Sequence, residues 1–110
     1  MHPRRGEVWW VAFDPSIGGE IQKTRPAIIL SNNAANTALN RVIVVPISSK
    51  TAKIYPSETL VTLNGEPRKA MADQITTASK QRLRSRLGSL GSSDMASLEN
   101  VVLMQLAIGR

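Results

Sequence analysis

Three kinds of side chain in this sequence could together do chemistry at a phosphate: an arginine, a pair of hydroxyls and a loop carboxylate. Arg25 stands between the glycine-bearing stretch Gly18-Gly19-Glu20 and the apolar run Pro26-Ala27-Ile28-Ile29-Leu30. Pro26 fixes its own φ and pushes Arg25 into extended backbone, which pins the guanidinium at the mouth of a strand. A guanidinium held there can give two parallel N–H bonds to a phosphate. Taken alone, Arg25 reads as the surface start of an ordinary strand. Its company changes that reading. Ser48 and Ser49 follow a second apolar run, and Glu20 lies in the glycine loop.

Other chemistries drop out. The chain has no cysteine, which removes disulfides, thiolate catalysis and cysteine-ligated metal. Its one histidine, His2, lies in the N-terminal tail. There is no HExxH, no P-loop and no Gly-x-Gly-x-x-Gly, and Glu20 with Asp73 makes no recognisable metal pair. What remains, Arg25 with Ser48 or Ser49 and Glu20, suits cleavage of RNA through its own 2′-hydroxyl. The substrate then supplies the nucleophile. The protein has only to hold the phosphate in line and neutralise the charge that builds on the phosphorane. No metal and no cofactor is called for.

The elements that must position these groups are mostly strands. Glu7 to Phe13 is rich in aromatic and β-branched residues and reads as a first strand, ended by Asp14-Pro15. Arg25 to Ser31 reads as the second and Arg41 to Ile47 as the third, with Pro46 marking an end or a bulge. Glu58 to Leu63 is a fourth, closed by the turn signal Asn64-Gly65. Ala70 to Ile75 and Arg84 to Leu90 are expected as two further strands, with a helical turn over Ser79 to Leu83. Asn32 to Asn40 is a polar connection with room for one helical turn. At the C-terminus, Ser92 or Ser93 is expected to cap a helix with Asp94 in its first turn. Met95, Leu98, Val102 and Leu106 form its apolar stripe, Val101 and Ile108 widen it, and Gly109 stops it. Many strands followed by one helix imply a small, strongly bent sheet or open barrel with the helix packed on it.

The 110 residues suffice for one domain, and 42% hydrophobic content gives a small core of aliphatic residues. Of the paired tryptophans Trp9 and Trp10, alternation puts one in the core and leaves the other for an interface or a groove. Fourteen basic residues against eight acidic ones give a net charge of +6, which favours an anionic partner, most simply nucleic acid. Lys80, Arg82, Arg84 and Arg86 recur at every second residue. An extended backbone would set the last three on one face, where they could track phosphates or simply blunt an edge strand. No apolar run is long enough for a transmembrane helix, and no signal peptide is evident, which with the missing cysteines fits the cytoplasm.

Four motifs in order carry a family resemblance: Arg5-Gly6-Glu7-Val8-Trp9 with Asp14-Pro15; Gly19-Glu20 with Arg25-Pro26-Ala27; Val44-Val45-Pro46-Ile47-Ser48-Ser49; and Tyr55-Pro56 with Ala72-Asp73-Gln74-Ile75. The chain resembles the MazF/PemK (Kid) family of toxin endoribonucleases over nearly its whole length. The resemblance implies that residues 1–110 form a single SH3-like barrel of the CcdB/PemK type, mostly β, with a C-terminal α-helix, acting as a homodimer. It gives Arg25 the role of catalytic arginine and places Ser48 where the family usually has threonine. Serine keeps the hydroxyl but loses the methyl that stiffens χ1. Glu20 matches a loop carboxylate implicated in activity in some members, and reads otherwise as a solvated loop charge.

On this reading Gly19, Lys23, Thr24, Ser49, Lys50, Tyr55, Gln74, Arg84 and Arg86 are expected to contact single-stranded RNA. The loops 17–24 and 50–57 would set the sequence cut. The products would be a 2′,3′-cyclic phosphate and a 5′-hydroxyl. The implied regulator is a cognate antitoxin whose acidic C-terminal segment lies in the RNA groove. Two other readings stand beside this one. A gyrase poison resembling CcdB would need a C-terminal Trp-Gly-Ile, whereas this sequence ends Ala107-Ile108-Gly109-Arg110. A non-catalytic RNA-binding barrel would use the basic residues and leave the pairing of Arg25 with Ser48 to coincidence.

Overall fold

The computed structural model describes residues 2–13 and 23–109. The strands are β1 (Glu7–Phe13), β2 (Lys23–Ile29), β3 (Arg41–Ser48), β4 (Glu58–Leu63), β5 (Glu66–Met71), β6 (Thr76–Ser79) and β7 (Leu83–Ser89). Two helices, α1 (Asn33–Ala38) and α2 (Ser92–Gln105), and 3₁₀ turns at Ala72–Gln74 and Lys80–Arg82 complete the described elements. The strands form one antiparallel sheet in the order β4-β5-β3-β2-β1-β7, with β6 also on β3. The expected mostly-β fold with a C-terminal helix is what is found, as a loosely barrel-like sheet rather than a closed ring of strands.

β3 holds the sheet together because it serves three neighbours. Its first half, Arg41 to Val44, pairs with β6, and its end, Ile47 and Ser48, pairs with β5. Val44 to Pro46 pair with β2 across the other edge. Pro46 therefore neither ends nor bulges the strand, which runs on to Ser48. It falls in the gap where one partner strand gives way to the next, the place in a central strand that can dispense with an N–H. Ala27 to Ile29 of β2 and Val44 to Ile47 of β3 are buried on both faces, so these stretches are continuous apolar runs. One face packs Val8, Ile28, Val45 and Ile47 against β4, β5 and the α2 residues Met95, Leu98 and Val102. The other packs Trp9, Val11, Ala27, Ile29, Val42 and Val44 against Ala78 and Leu83.

Several boundaries differ from the sequence reading. β2 starts at Lys23, two residues early, and β5 spans Glu66–Met71 rather than residues 70–75. The cause of the second shift is the Asn64-Gly65 turn. Both residues have positive φ, 50° and 81°, the two-residue hairpin geometry that makes the next strand begin at once. β6 had no counterpart in the reading; Thr76–Ser79 is too short and polar to announce itself. The turn at Lys80–Arg82 matches, capped by Ser79 Oγ, which accepts the Gln81 N–H at 3.2 Å.

α2 has Gly91 as its N-cap and no side-chain cap, in place of Ser92 or Ser93. Asp94 is in the first turn as expected, and its carboxylate accepts the Thr62 N–H of β4 at 2.8 Å. The helix ends at Gln105, so Leu106 and Ile108 leave the stripe and stand exposed. The residue that turns the chain is Ala107, at φ 57°, rather than Gly109. The Ile108 N–H reaches Leu103 O at 2.9 Å and the Ala107 N–H reaches Met104 O at 3.1 Å, a Schellman closure with alanine in the left-handed position.

One side chain crosses between the sheet's two outer strands. Asn64 Nδ2, at the tip of the β4–β5 hairpin, donates to Leu87 O of β7 at 3.0 Å. The approach is close because residue 88 is glycine: a Cβ there would sit 2.8 Å from Asn64 Oδ1.

Candidate active site

The polar ends of β2 and β3 meet in a groove of about 450 Å³. The β2–β3 ladder ends at Ala27 and Pro46, and just beyond it Arg25, near the start of β2, and Ser48, at the end of β3, both line the groove. Both are half-buried. Trp10, Lys23, Thr24 and Pro26 line the groove with Ser49, Lys50 and the hairpin residues Asn64, Glu66 and Arg68. Trp9 is the buried tryptophan, and its indole N–H donates to Glu7 Oε1 at 3.0 Å. Trp10 is 37% exposed and presents an aromatic surface to the groove.

The groove is electropositive. Lys23, Arg25, Lys50 and Arg68 line it against the single carboxylate of Glu66, among the described residues. Ser48 Oγ accepts the Lys50 N–H at 3.1 Å, which fixes the hydroxyl oxygen and leaves its proton to be donated. Lys23 enters β2 at φ 66°, a costly conformation for a non-glycine residue, held at the lip of the site. Among the described residues no group of three or more His, Cys, Asp or Glu side chains could hold a metal. The arrangement can bind an anion through Arg25 and the lysines and give it one hydroxyl hydrogen bond.

The other expected contacts are spread more widely. Glu20 and Gly19 lie outside the described residues. Tyr55 is 50% exposed in the β3–β4 loop, beyond the groove wall, with Lys53 Nζ 4.9 Å and Lys69 Nζ 5.6 Å from its ring centroid. Gln74 closes the first 3₁₀ turn, half-buried and away from the groove lining. Neighbouring Asp73 accepts the Ser57 hydroxyl at 3.3 Å. Arg82 stands in a 3₁₀ turn with Nη1 on Ala12 O at 3.0 Å, so it is not part of an extended row. Two register shifts in the β1–β7 ladder break the alternation further along. Arg84 donates to Gln81 O at 2.7 Å, and Arg86 to Glu7 Oε2 at 3.0 Å and Ser89 Oγ at 2.7 Å. Burial works against the Glu7 charge, yet the Arg4 amide, the Trp9 indole and the Arg86 guanidinium together hold its carboxyl below the ordinary carboxylate range.

Arg68, Asn64 and Glu66 are groove residues that the sequence reading missed. The signal was available: the Asn64-Gly65 turn brings the first residues of β5 back beside the end of β4.

Comparison with known proteins gives these features a lineage. Endoribonuclease MazF9 of Mycobacterium tuberculosis is 34% identical, the match covering 94% of this chain and 95% of that protein. Endoribonuclease toxin MazF of Escherichia coli K12 is 39% identical over 66% of this chain and 65% of its own. Among solved structures, a mycobacterial endoribonuclease in complex with its cognate antitoxin superposes with a TM-score of 0.80 at 25% identity, covering 98% of both chains. MazF of Deinococcus radiodurans superposes with a TM-score of 0.84 at 23% identity, covering 98% of this chain and 99% of its own, a likeness of fold. Residues 4–106 match the family described as PemK-like, MazF-like toxin of type II toxin-antitoxin systems, and the chain belongs to that family.

Proposed function

We propose that this protein is the toxin of a type II toxin–antitoxin pair and an endoribonuclease that cuts single-stranded RNA by attack of the substrate's own 2′-hydroxyl. The observation that carries the proposal is that Arg25 and Ser48, from the ends of neighbouring strands, line one electropositive groove. In the step, the 2′-oxygen forms a bond to phosphorus and the bond to the 5′-oxygen breaks. The 2′-hydroxyl loses its proton and the 5′-oxygen gains one, leaving a 2′,3′-cyclic phosphate and a 5′-hydroxyl. Arg25 neutralises the equatorial oxygens of the phosphorane, and the Ser48 hydroxyl donates one hydrogen bond to them. Neither role calls for a metal ion. Trp10 and the lysines hold the flanking nucleotides by stacking and by charge. Glu20, carried by the resemblance, is the candidate carboxylate.

The protein would work as a homodimer in the cytoplasm. A cognate antitoxin with an acidic C-terminal segment would occupy the same basic groove, since one positive surface serves RNA and an acidic mimic alike. The test is incubation with a long RNA in EDTA and mapping of 5′-hydroxyl ends. Defined cuts are expected, with the 2′-deoxy analogue spared. Arg25→Ala should slow cutting by about a hundred- to a thousand-fold. Ser48→Ala should cost less, and Ser48→Thr should retain activity. Cleavage by Arg25→Ala at the wild-type rate would sink the mechanism; RNA protection without cuts would favour a binding module, and gyrase-linked DNA breaks a gyrase poison.

A further inference from the structure

The β3–β4 loop owes its shape to a lysine that the proposed reaction does not use. Lys69 lies on β5 directly across from Ser48. Its ammonium is 3.1 Å from Glu58 Oε1, with the two side chains only 12% and 8% exposed. It also donates to Lys53 O at 3.2 Å and lies 5.6 Å from the centre of the Tyr55 ring. Glu58 Oε1 accepts the Tyr55 N–H at 2.9 Å, and the Glu58 N–H reaches Tyr55 O at 2.9 Å. One buried ion pair thus holds the loop backbone at Lys53 and at Tyr55. The Tyr55 ring is left half-exposed, with the exposed Lys53 ammonium 4.9 Å from its centre. A half-exposed aromatic ring with an exposed ammonium over it offers a surface on which one nucleobase can take the ammonium's place, leaving the cation for its phosphate.

We propose that Lys69 and Glu58 are positioning residues: their buried pair sets the Tyr55 ring in place as a stacking surface for a nucleotide flanking the scissile phosphate. This rests on the reading of the groove as an RNA site. A group that acts only through Tyr55 loses its effect once Tyr55 is gone, and that makes the idea testable.

The measurements are the Kd of a 2′-O-methyl oligonucleotide containing a mapped cut site, and kcat and KM on the unmodified RNA. The variants are Tyr55→Leu, the charge-balanced double Lys69→Met/Glu58→Gln, and all three substitutions together. The double leaves no lone buried charge, so it is the form expected to keep the fold; thermal unfolding checks this. Tyr55→Leu should weaken binding about tenfold, the scale of one lost stacking contact. The double should weaken binding by a similar factor, and the triple no further. On unmodified RNA the loss should fall on KM with kcat unchanged. Factors that multiply in the triple, a double that binds as wild type does, or a loss falling on kcat would each overturn the proposal. So would failure of the wild-type protein to bind the 2′-O-methyl oligonucleotide. Tight binding with the expected coupling, but no cleavage of the unmodified RNA, would support the positioning role and count against the endoribonuclease reading alone.

Discussion

The same local device opens two strands and ends in two different environments. Before β1, the Arg4 N–H donates to Glu7 Oε1 at 2.8 Å while the Glu7 N–H returns to Arg4 O at 3.0 Å. Before β4, Tyr55 and Glu58 repeat the pattern atom for atom, at 2.9 Å each way. In both, a glutamate closes a turn three residues back and then takes a cation from the strand paired beside it. The difference lies in the cation. Arg86, 51% exposed, meets Glu7 at the protein surface, whereas Lys69, 12% exposed, meets Glu58 largely covered from water. The first pair can be lost at small cost, because Glu7 keeps its bonds from the Arg4 amide and the Trp9 indole. The second cannot be halved without stranding a charge.

The largest expected effect is therefore on Lys69. Lys69→Met should destabilise the protein by about 3 kcal/mol in urea unfolding, because Glu58 is left as a buried carboxylate without its counter-charge. Removing both charges in Lys69→Met/Glu58→Gln should recover most of that loss. If the single and double variants cost the same, the pair is not the buried unit described. Arg86→Met, in contrast, should cost under about 1 kcal/mol, the scale of an exposed pair. Salt sharpens the contrast: raising sodium chloride from about 0.1 M to about 1 M should erase the Arg86 effect and leave that of Lys69.

The smallest effect is on pH dependence. The Glu7 carboxyl is held below its ordinary value near 4.5, so its contribution to stability is complete above that value. It is lost as pH falls through the lowered folded-state value. Between about pH 6 and about pH 3, wild type should lose more stability than Glu7→Gln. Parallel acid limbs for the two proteins would contradict the carboxylate's role.

The sequence revealed the groove's two central residues because both sit at strand ends. Pro26 marks where Arg25 must be extended, and the apolar run through Ile47 marks where Ser48 emerges. Lys69 was invisible for the opposite reason. A single lysine in the polar stretch Glu66-Pro67-Arg68-Lys69 carries no periodicity, and apolar content drew the strand forward to Ala70. Only the hairpin register, with Leu60 opposite Lys69 and Glu58 opposite Met71, sets the lysine diagonal to its glutamate. Arg82, Arg84 and Arg86 looked alike in sequence. A 3₁₀ turn and two register shifts, which depend on pairing with β1, gave them separate surroundings.

The contact between the hairpin tip and β7 limits how this sequence can change. Asn64 has a positive φ that few residues tolerate, and its amide fills the space a side chain at position 88 would need. Gly88→Ala alone collides with it. Asn64→Gly keeps the turn and removes the nearest clash, leaving Leu63 Cδ1 at 3.2 Å, but gives up the bond to the Leu87 carbonyl. Substitutions at the two positions are thus coupled: a side chain at position 88 must displace the Asn64 amide from the Leu87 carbonyl, so once position 88 has changed, asparagine at position 64 no longer ties the hairpin tip to β7.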